Sequence, residues 1–256
     1  MKRNNIIIIT LMFILATTYM SCSKLSPVAG NGHVLQEERR LVNFNQLINE
    51  GEFNVIITHD TIYQAIVEAE TNIIPYIRTL VNGNTLIIDS REVLQPGMPI
   101  TIYVSTPEIN YVEMSGSGAI SCDSIFGNNV GAKLSGSGNI EARLFGGASE
   151  LGISGSGNMI LNVESQMNYT TISGSGDIYI AGNSNEGEFK VSGSGNINSY
   201  EFHQQNLDAN ISGSGNMYVN VSDFLKARIS GSGSVFYLGN PGLDISITGS
   251  GSVIKQ

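Results

Sequence analysis

Apolar and polar residues alternate along much of this chain, and over its second half the alternation is phased by a recurring Ser-Gly-Ser-Gly. The copies begin at Ser115, Ser135, Ser154, Ser173, Ser192, Ser212, Ser230 and, with Thr in first place, Thr248, at steps of 20, 19, 19, 19, 20, 18 and 18 residues. With the first residue of each copy as position zero, position −1 is always apolar: Met114, Leu134, Ile153, Ile172, Val191, Ile211, Ile229 and Ile247. Position +5 is apolar too, as Ile120, Ile140, Met159, Ile178, Ile197, Met217, Val235 and Val253. Positions −3 and +7 are mostly apolar or small, which extends a period of two on both sides of the glycines and makes each repeat strand rather than helix. A near-constant step held over more than half of the chain is the mark of a stacked repeat.

By the same parity the Ser at zero, the Ser at +2 and the residue at +4 point outward, while both glycines fall on the inward side. Ser-Gly-Ser-Gly therefore reads as a corner, where a residue without Cβ lets the backbone bend or approach another wall closely. Stretches such as Phe145-Gly146-Gly147, Ala181-Gly182-Asn183-Ser184-Asn185 and Gly239-Asn240-Pro241-Gly242 read as a second, irregular corner. The expected fold is all-β: a right-handed parallel β-helix over residues 108–256, of about eight coils of 18–20 residues. Its height at strand spacing is roughly 34 to 38 Å.

Residues 41–107 have no Ser-Gly-Ser-Gly but hold β-branched runs at 53–58, 64–69, 85–88 and 100–104, which predict four strands. Apolar Ile73, Ile74, Ile77, Leu80 and Val81 predict a short helix over 73–81, with Pro75 in its first turn and Asn82-Gly83-Asn84 as its stop. The region is expected to cap the solenoid with strands continuous with the stack.

The N-terminus reads as an export signal over residues 1–21. Lys2 and Arg3 form a positive n-region, Ile6 to Ala16 an apolar stretch too short for a comfortable membrane span, and Tyr19-Met20-Ser21-Cys22 a cleavage zone. It resembles a bacterial lipoprotein signal, in which Cys22 becomes the lipidated first residue, and polar residues 22–40 then form a tether. The expectation is an exported outer-membrane lipoprotein, facing the periplasm or the cell surface; Ser23-Lys24-Leu25-Ser26 lacks an acidic run and favours the periplasmic side.

Charge narrows the partners. The 13 basic and 22 acidic residues become 11 against 22 once residues 1–21 are removed, a net of −11, which argues against nucleic acid or an anionic lipid surface. Membrane contact is then through the lipid anchor only. With Cys22 lipidated, Cys122 has no disulfide partner, and its inward +7 position makes it a buried hydrophobe rather than a reactive thiol. His33, His59 and His203 are too scattered to suggest a metal site.

Ile73-Ile74-Pro75-Tyr76-Ile77-Arg78, then Asn82-Gly83-Asn84-Thr85-Leu86-Ile87-Ile88, then recurring Ser-Gly-Ser-Gly-Asn after an exported N-terminus, resemble the family of the putative auto-transporter adhesin, head GIN domain, common among Bacteroidetes lipoproteins. The resemblance covers about residues 41–256 and implies a β-helical cell-envelope protein. It brings no catalytic residues with it.

No catalytic constellation stands out. A phosphate loop needs a helix after its glycines, and none is predicted after any copy. A calcium β-roll needs a carboxylate in nearly every turn, whereas Asp177 is alone at +4 among Ala119, Asn139, Asn158, Asn196, Asn216, Ser234 and Ser252. No cofactor or metal is expected. A carbohydrate-active enzyme on the same scaffold is the alternative, its acid and base drawn from Asp123, Glu141, Arg143, Glu164, Asp177 and Glu188, which scatter over several coils. The candidate binding face is the outward rows: Ser135, Ser137, Asn139, Ser154, Ser156, Asn158, Ser173, Ser175, Asp177, Ser192, Ser194, Asn196, Ser212, Ser214 and Asn216. Stacking aligns them into polar rows that either hydrogen-bond along the stack or meet a partner, a glycan or an envelope protein. Lipidation yields the first prediction: Cys22→Ser releases the protein from the membrane fraction, and continued membrane sedimentation of that variant counts against the anchor.

Overall fold

Inward rows and corner glycines wind the chain into a β-solenoid, described by a computed structural model over residues 26–256. The expected export signal, cleavage zone and Cys22 lie outside those residues. The strands are β1 (Val28–Ala29), β2 (Val34–Arg40), β3 (Gln46–Asn49), β4 (Asn54–His59), β5 (Gln64–Glu70), β6 (Ile77–Asn82), β7 (Thr85–Ser90), β8 (Leu94–Gln95), β9 (Thr101–Thr106) and β10 (Tyr111–Met114). Then come β11 (Ala119–Leu134), β12 (Asn139–Ile153), β13 (Asn158–Ile172), β14 (Ile178–Val191), β15 (Ile197–Ile211), β16 (Met217–Ile229), β17 (Val235–Leu238), β18 (Gly242–Ile247) and β19 (Val253–Lys255).

From β10 onward each strand pairs in parallel with its copy one coil away, in the register set by the tetrapeptide. Met114, Leu134, Ile153, Ile172, Val191, Ile211, Ile229 and Ile247 lie in one column. Ile120, Ile140, Met159, Ile178, Ile197, Met217, Val235 and Val253 lie in another. Both columns are buried through the seventh copy, each fully buried aliphatic side chain contributing roughly 1.5–3 kcal/mol over an exposed one. In the last copy Ile247 is 40% exposed and Val253 half-buried, because no described residue packs beyond that coil. Cys122 is buried as expected, and burial pushes its thiol up to about 12, which makes it inert near neutrality.

The glycines owe their place to the neighbouring coil rather than to an opposite wall. A Cβ on Gly174 would fall far inside van der Waals contact of the carbonyl oxygen of Gly155, and one on Gly176 would meet that of Gly157. The same overlap recurs at Gly155 over Gly136, Gly193 over Gly174 and Gly213 over Gly193, so each glycine is the seat of the next. The corner backbone joins the ladder there, with Ser175 N–H donating to Gly155 O at 3.0 Å and Ser194 N–H to Gly174 O at 3.0 Å. The second corner is also firmer than its composition suggests. Phe145 pairs with Glu164 and Glu164 with Asn183, so in those coils it is a bend within one long strand, whereas Gly239-Asn240-Pro241 separates β17 from β18.

Residues before the repeats hold a coil that the sequence disguises. β3 and β4 pair in parallel with β10 and β11, aligning Asn49 with Met114 and Val55 with Ile120. Glu50-Gly51-Glu52-Phe53 thus occupies the place of Ser-Gly-Ser-Gly, and a Cβ on Gly116 would overlap Gly51 O. On the other side of this coil, β7 and β9 form a further parallel layer. Antiparallel strands finish that end: β5 on β9, β2 on β5 and β6 on β7. The exposed edge strand β2 carries Gln36, Glu37, Glu38, Arg39 and Arg40, a charged edge that discourages further pairing.

Two expectations are corrected. Residues 34–40, read as the end of a tether, form β2; Arg39 ties it down by donating to Ile77 O at 2.8 Å and Ile74 O at 3.2 Å. The helix over 73–81 is a single 3-10 turn at Ile74–Tyr76 followed by β6, because Gly83, at φ 62°, and Asn84 form a two-residue hairpin loop to β7. Strand pairing to β7 outweighs the helical spacing of five apolar residues.

Glu70, buried at the end of β5, clips the N-terminal segment to the cap. Its carboxylate accepts hydrogen bonds from the N–H of Gly32 at 2.6 Å, Gly97 at 2.8 Å and Met98 at 3.3 Å. A Cβ on Gly30 would occupy the same space as this carboxylate. The Gly32 bond, aided by Gly97 and Met98 and opposed by burial, holds the Glu70 carboxyl below its ordinary value of 4.5.

Two predictions follow from the corner and the clip. Gly174→Val lowers stability by roughly 3 kcal/mol or more, since backbone must move, whereas Ser175→Ala costs about 0.5 kcal/mol or less. An unchanged thermal midpoint in Gly174→Val refutes the seating of coil on coil. For Glu70 the folded pKa is depressed, so its stabilisation is complete above its ordinary value and fades as pH falls through the lower folded value. Thermal unfolding at pH 3 to 6 should show a shallower acid loss in Glu70→Gln than in the parent; identical pH profiles sink the clip.

Candidate functional site

The corner serines are presented as the parity of the strands requires. Every Ser at zero and +2 from Ser115 to Ser232 is exposed. The hydroxyls at zero make at most weak bonds along the stack, Ser135 to Met114 O at 3.5 Å and Ser192 to Ile172 O at 3.4 Å. Those at +2, including Ser137, Ser156, Ser175, Ser194 and Ser214, donate to no described residue. Two rows of unengaged hydroxyls therefore repeat at about 4.8 Å, the rung spacing of a sheet.

The +4 row behaves differently. Asp177 N–H donates to Asn158 Oδ1 at 3.2 Å, Asn196 N–H to Asp177 Oδ1 at 2.7 Å, Asn216 N–H to Asn196 Oδ1 at 2.9 Å and Ser234 N–H to Asn216 Oδ1 at 2.9 Å. Asn196 Nδ2 also donates to Asp177 Oδ1 at 2.9 Å. These side chains hydrogen-bond rung to rung, so from Asn158 to Asn216 their oxygens are committed to the stack.

Beside the zero row runs a groove parallel to the axis. Its other wall is the −2 row, where Lys133, Gly152, Thr171, Lys190, Asn210 and Arg228 succeed one another. One part, of about 510 Å³, lies between Tyr111 and Tyr169 with Ser154 and Ser173 on its rim; Thr171 joins it to a second, of about 550 Å³, flanked by Ser192, Ser212 and Ser230. Gly152 opens the first part: the nearest atom to a Cβ placed there is Lys133 Cγ at 3.8 Å, ordinary contact. Adjacent carboxylates neutralise the cations, Glu188 pairing with Lys190 and Asp208 and Asp244 with Arg228 at 3.9 and 3.6 Å. The groove can donate and accept hydrogen bonds along its length with little net charge.

Of the residues considered for acid–base work, Asp123, Glu141 and Arg143 line one shallow depression on another face. The rest are apart and engaged: Glu164 accepts from Asn183 at 3.1 Å, Asp177 belongs to the ladder and Glu188 holds Lys190. Among the described residues no three His, Cys, Asp or Glu side chains gather as a metal site would require. Sequence reasoning missed the groove, whose −2 wall could have been read from the same outward parity as the serines.

Residues 43–241 match the family described as putative auto-transporter adhesin, head GIN domain. No functionally curated protein matches. Among solved structures, the chain is similar to a putative lipid binding protein from Parabacteroides distasonis, at 26% identity and a TM-score of 0.83 over 90% of this chain and 100% of that one. It is similar in fold to a putative adhesin from the same organism, at 22% and 0.85 over 90% and 100%. A putative adhesin from Parabacteroides merdae gives 21% and 0.84 over 90% and 98%.

Proposed function

The chain belongs to the family of the putative auto-transporter adhesin, head GIN domain, and we propose that it is a non-enzymatic binding module of the bacterial cell envelope. The observation that carries this reading is the pair of unengaged serine rows beside a charge-balanced axial groove. Hydroxyls fixed at rung spacing by a glycine-seated corner lose little freedom on binding, which favours an extended, neutral, hydroxyl- or amide-rich partner. A glycan chain or an extended segment of an envelope protein has that character. The lipid on Cys22 would tether the module to the outer membrane, facing the periplasm by the absence of an acidic run after the cysteine.

A carbohydrate-active enzyme is the second reading, favoured only by Asp123, Glu141 and Arg143 around one depression. Product release from neutral polysaccharides, measured beside binding, distinguishes the two. The test of the groove is Gly152→Phe, which fills it without backbone overlap. We expect the parent to retain material from glycan and envelope-protein fractions, and Gly152→Phe to keep its thermal midpoint while losing at least tenfold in affinity. Equal retention by both proteins removes the groove from the proposal.

A further inference from the structure

A second face of the coil carries an irregular stretch around Asn198. The outward +6 column reads Glu141, Ile160, Tyr179, Asn198, Tyr218, Phe236 in successive coils. Tyr218 stacks on Phe236 with centroids 5.1 Å apart and planes at 9°, and Tyr200 stands edge-on to Tyr218 at 5.6 Å and 79°. Asn198 interrupts this column of rings, so an open cleft of about 520 Å³ lies over it, with Tyr179 and Ile160 on one side and Tyr200, Glu201 and Tyr218 on the other. Tyr179 and Ile160 are 46% and 58% exposed.

The ladder is disturbed at the same spot. The extra residues lie in β15, which shifts register against β14 between Tyr179 and Gly182 and against β16 between Ser199 and His203. Gly182 takes φ 113°, in the left-handed region. Bulges re-aim side chains, and here they lift Tyr200 out of the regular column toward Tyr218. The displaced backbone is secured: Asn220 Nδ2 donates to Tyr200 O at 3.1 Å, and buried Ser199 donates to Tyr218 O at 2.7 Å. The coil of β15 thus departs from the repeat at one aromatic cleft and is held to β16 by side-chain hydrogen bonds.

We propose that this cleft binds a neutral pyranose ring of a glycan. Aromatic rings offer flat apolar surface to the C–H face of a sugar, while phenol hydroxyls offer hydrogen bonds at their edge. The hydroxyls of Tyr179, Tyr200 and Tyr218 make no hydrogen bond to a described residue, and Asn198 and Glu201 add an amide and a carboxylate that accept from sugar hydroxyls. The lining holds no Lys or Arg and one carboxylate, which selects against phosphorylated, sulfated or uronic-acid ligands. Its volume falls in the usual range for a small-molecule site, and it is open to solvent rather than enclosed, as a polymer with further rings requires and a buried acyl chain does not.

This inference rests on the envelope-binding reading for its ligand class but lies apart from the serine groove. The probes are cellohexaose, chitohexaose and maltohexaose titrated calorimetrically, with phosphatidylethanolamine and phosphatidylglycerol vesicles as the competing chemistry. At least one hexasaccharide should bind the parent. Tyr179→Ala and Tyr218→Ala should each weaken it tenfold or more with the thermal midpoint retained, and Asn198→Tyr should abolish it by filling the cleft. Failure of all three sugars to bind, binding that persists in Asn198→Tyr, or vesicle binding that depends on Tyr179 overturns the proposal. Binding lost in Gly152→Phe but kept in both Tyr→Ala variants transfers the sugar to the serine groove and overturns it equally.

Discussion

The contact of one corner glycine with the carbonyl of the glycine before it fixes the position of every coil. Because Gly174 rests on Gly155 and Gly193 on Gly174, with no space for a Cβ between them, the corner backbones approach at ladder distance and the serines between them must face out. Coil length is then free to vary only elsewhere. The 20-residue steps from Ser115 and Ser192 are accommodated by register shifts between Cys122 and Ile125 and between Ser199 and His203, on the walls away from the corner. The corner is invariant in geometry, and the walls carry the differences.

Inside, aliphatic columns are interrupted by a small polar group. Asn168 donates to Ser149 at 2.7 Å, Thr170 to Asn168 Oδ1 at 2.7 Å, and Ser149 lies 3.0 Å from half-buried Ser165, so these groups satisfy one another. Gln204 is the exception: its amide fills the space beside Gly187 and makes no hydrogen bond to a described residue. Such a group costs on the order of 1–3 kcal/mol unless water reaches it. The core thus tolerates polar residues where adjacent coils supply matching ones.

The repeat, its inward columns and its outward serines could all be read from the sequence because one parity governs them. β2 could not, since Gln36 to Arg40 carry no apolar alternation and the strand is held by backbone pairing and Arg39. The coil through Glu50-Gly51-Glu52-Phe53 was hidden because only its glycine keeps the repeat's chemistry; the two glutamates replace serines that need only be polar. At the candidate face, exposure of Ser137 or Ser156 was legible, but the commitment of Asn196 Oδ1 to the next rung depends on register between coils. The columns containing Tyr179 and Gly152 share the serines' outward parity and were within reach of the same reasoning.

The order of layers at the capped end differs from the order of the chain. β3 and β4 come early in sequence yet lie between two layers, β7 and β9 on one side and β10 and β11 on the other. This coil is a template with two usable faces. A chain delivered from its N-terminus has the template in hand before any Ser-Gly-Ser-Gly copy emerges, closes the cap on one face through the local Gly83–Asn84 hairpin, and grows by single-coil addition on the other. Assembly is thereby given a starting point and a direction, and near-identical coils, which could pair out of order with one another, are counted off from a coil that resembles none of them.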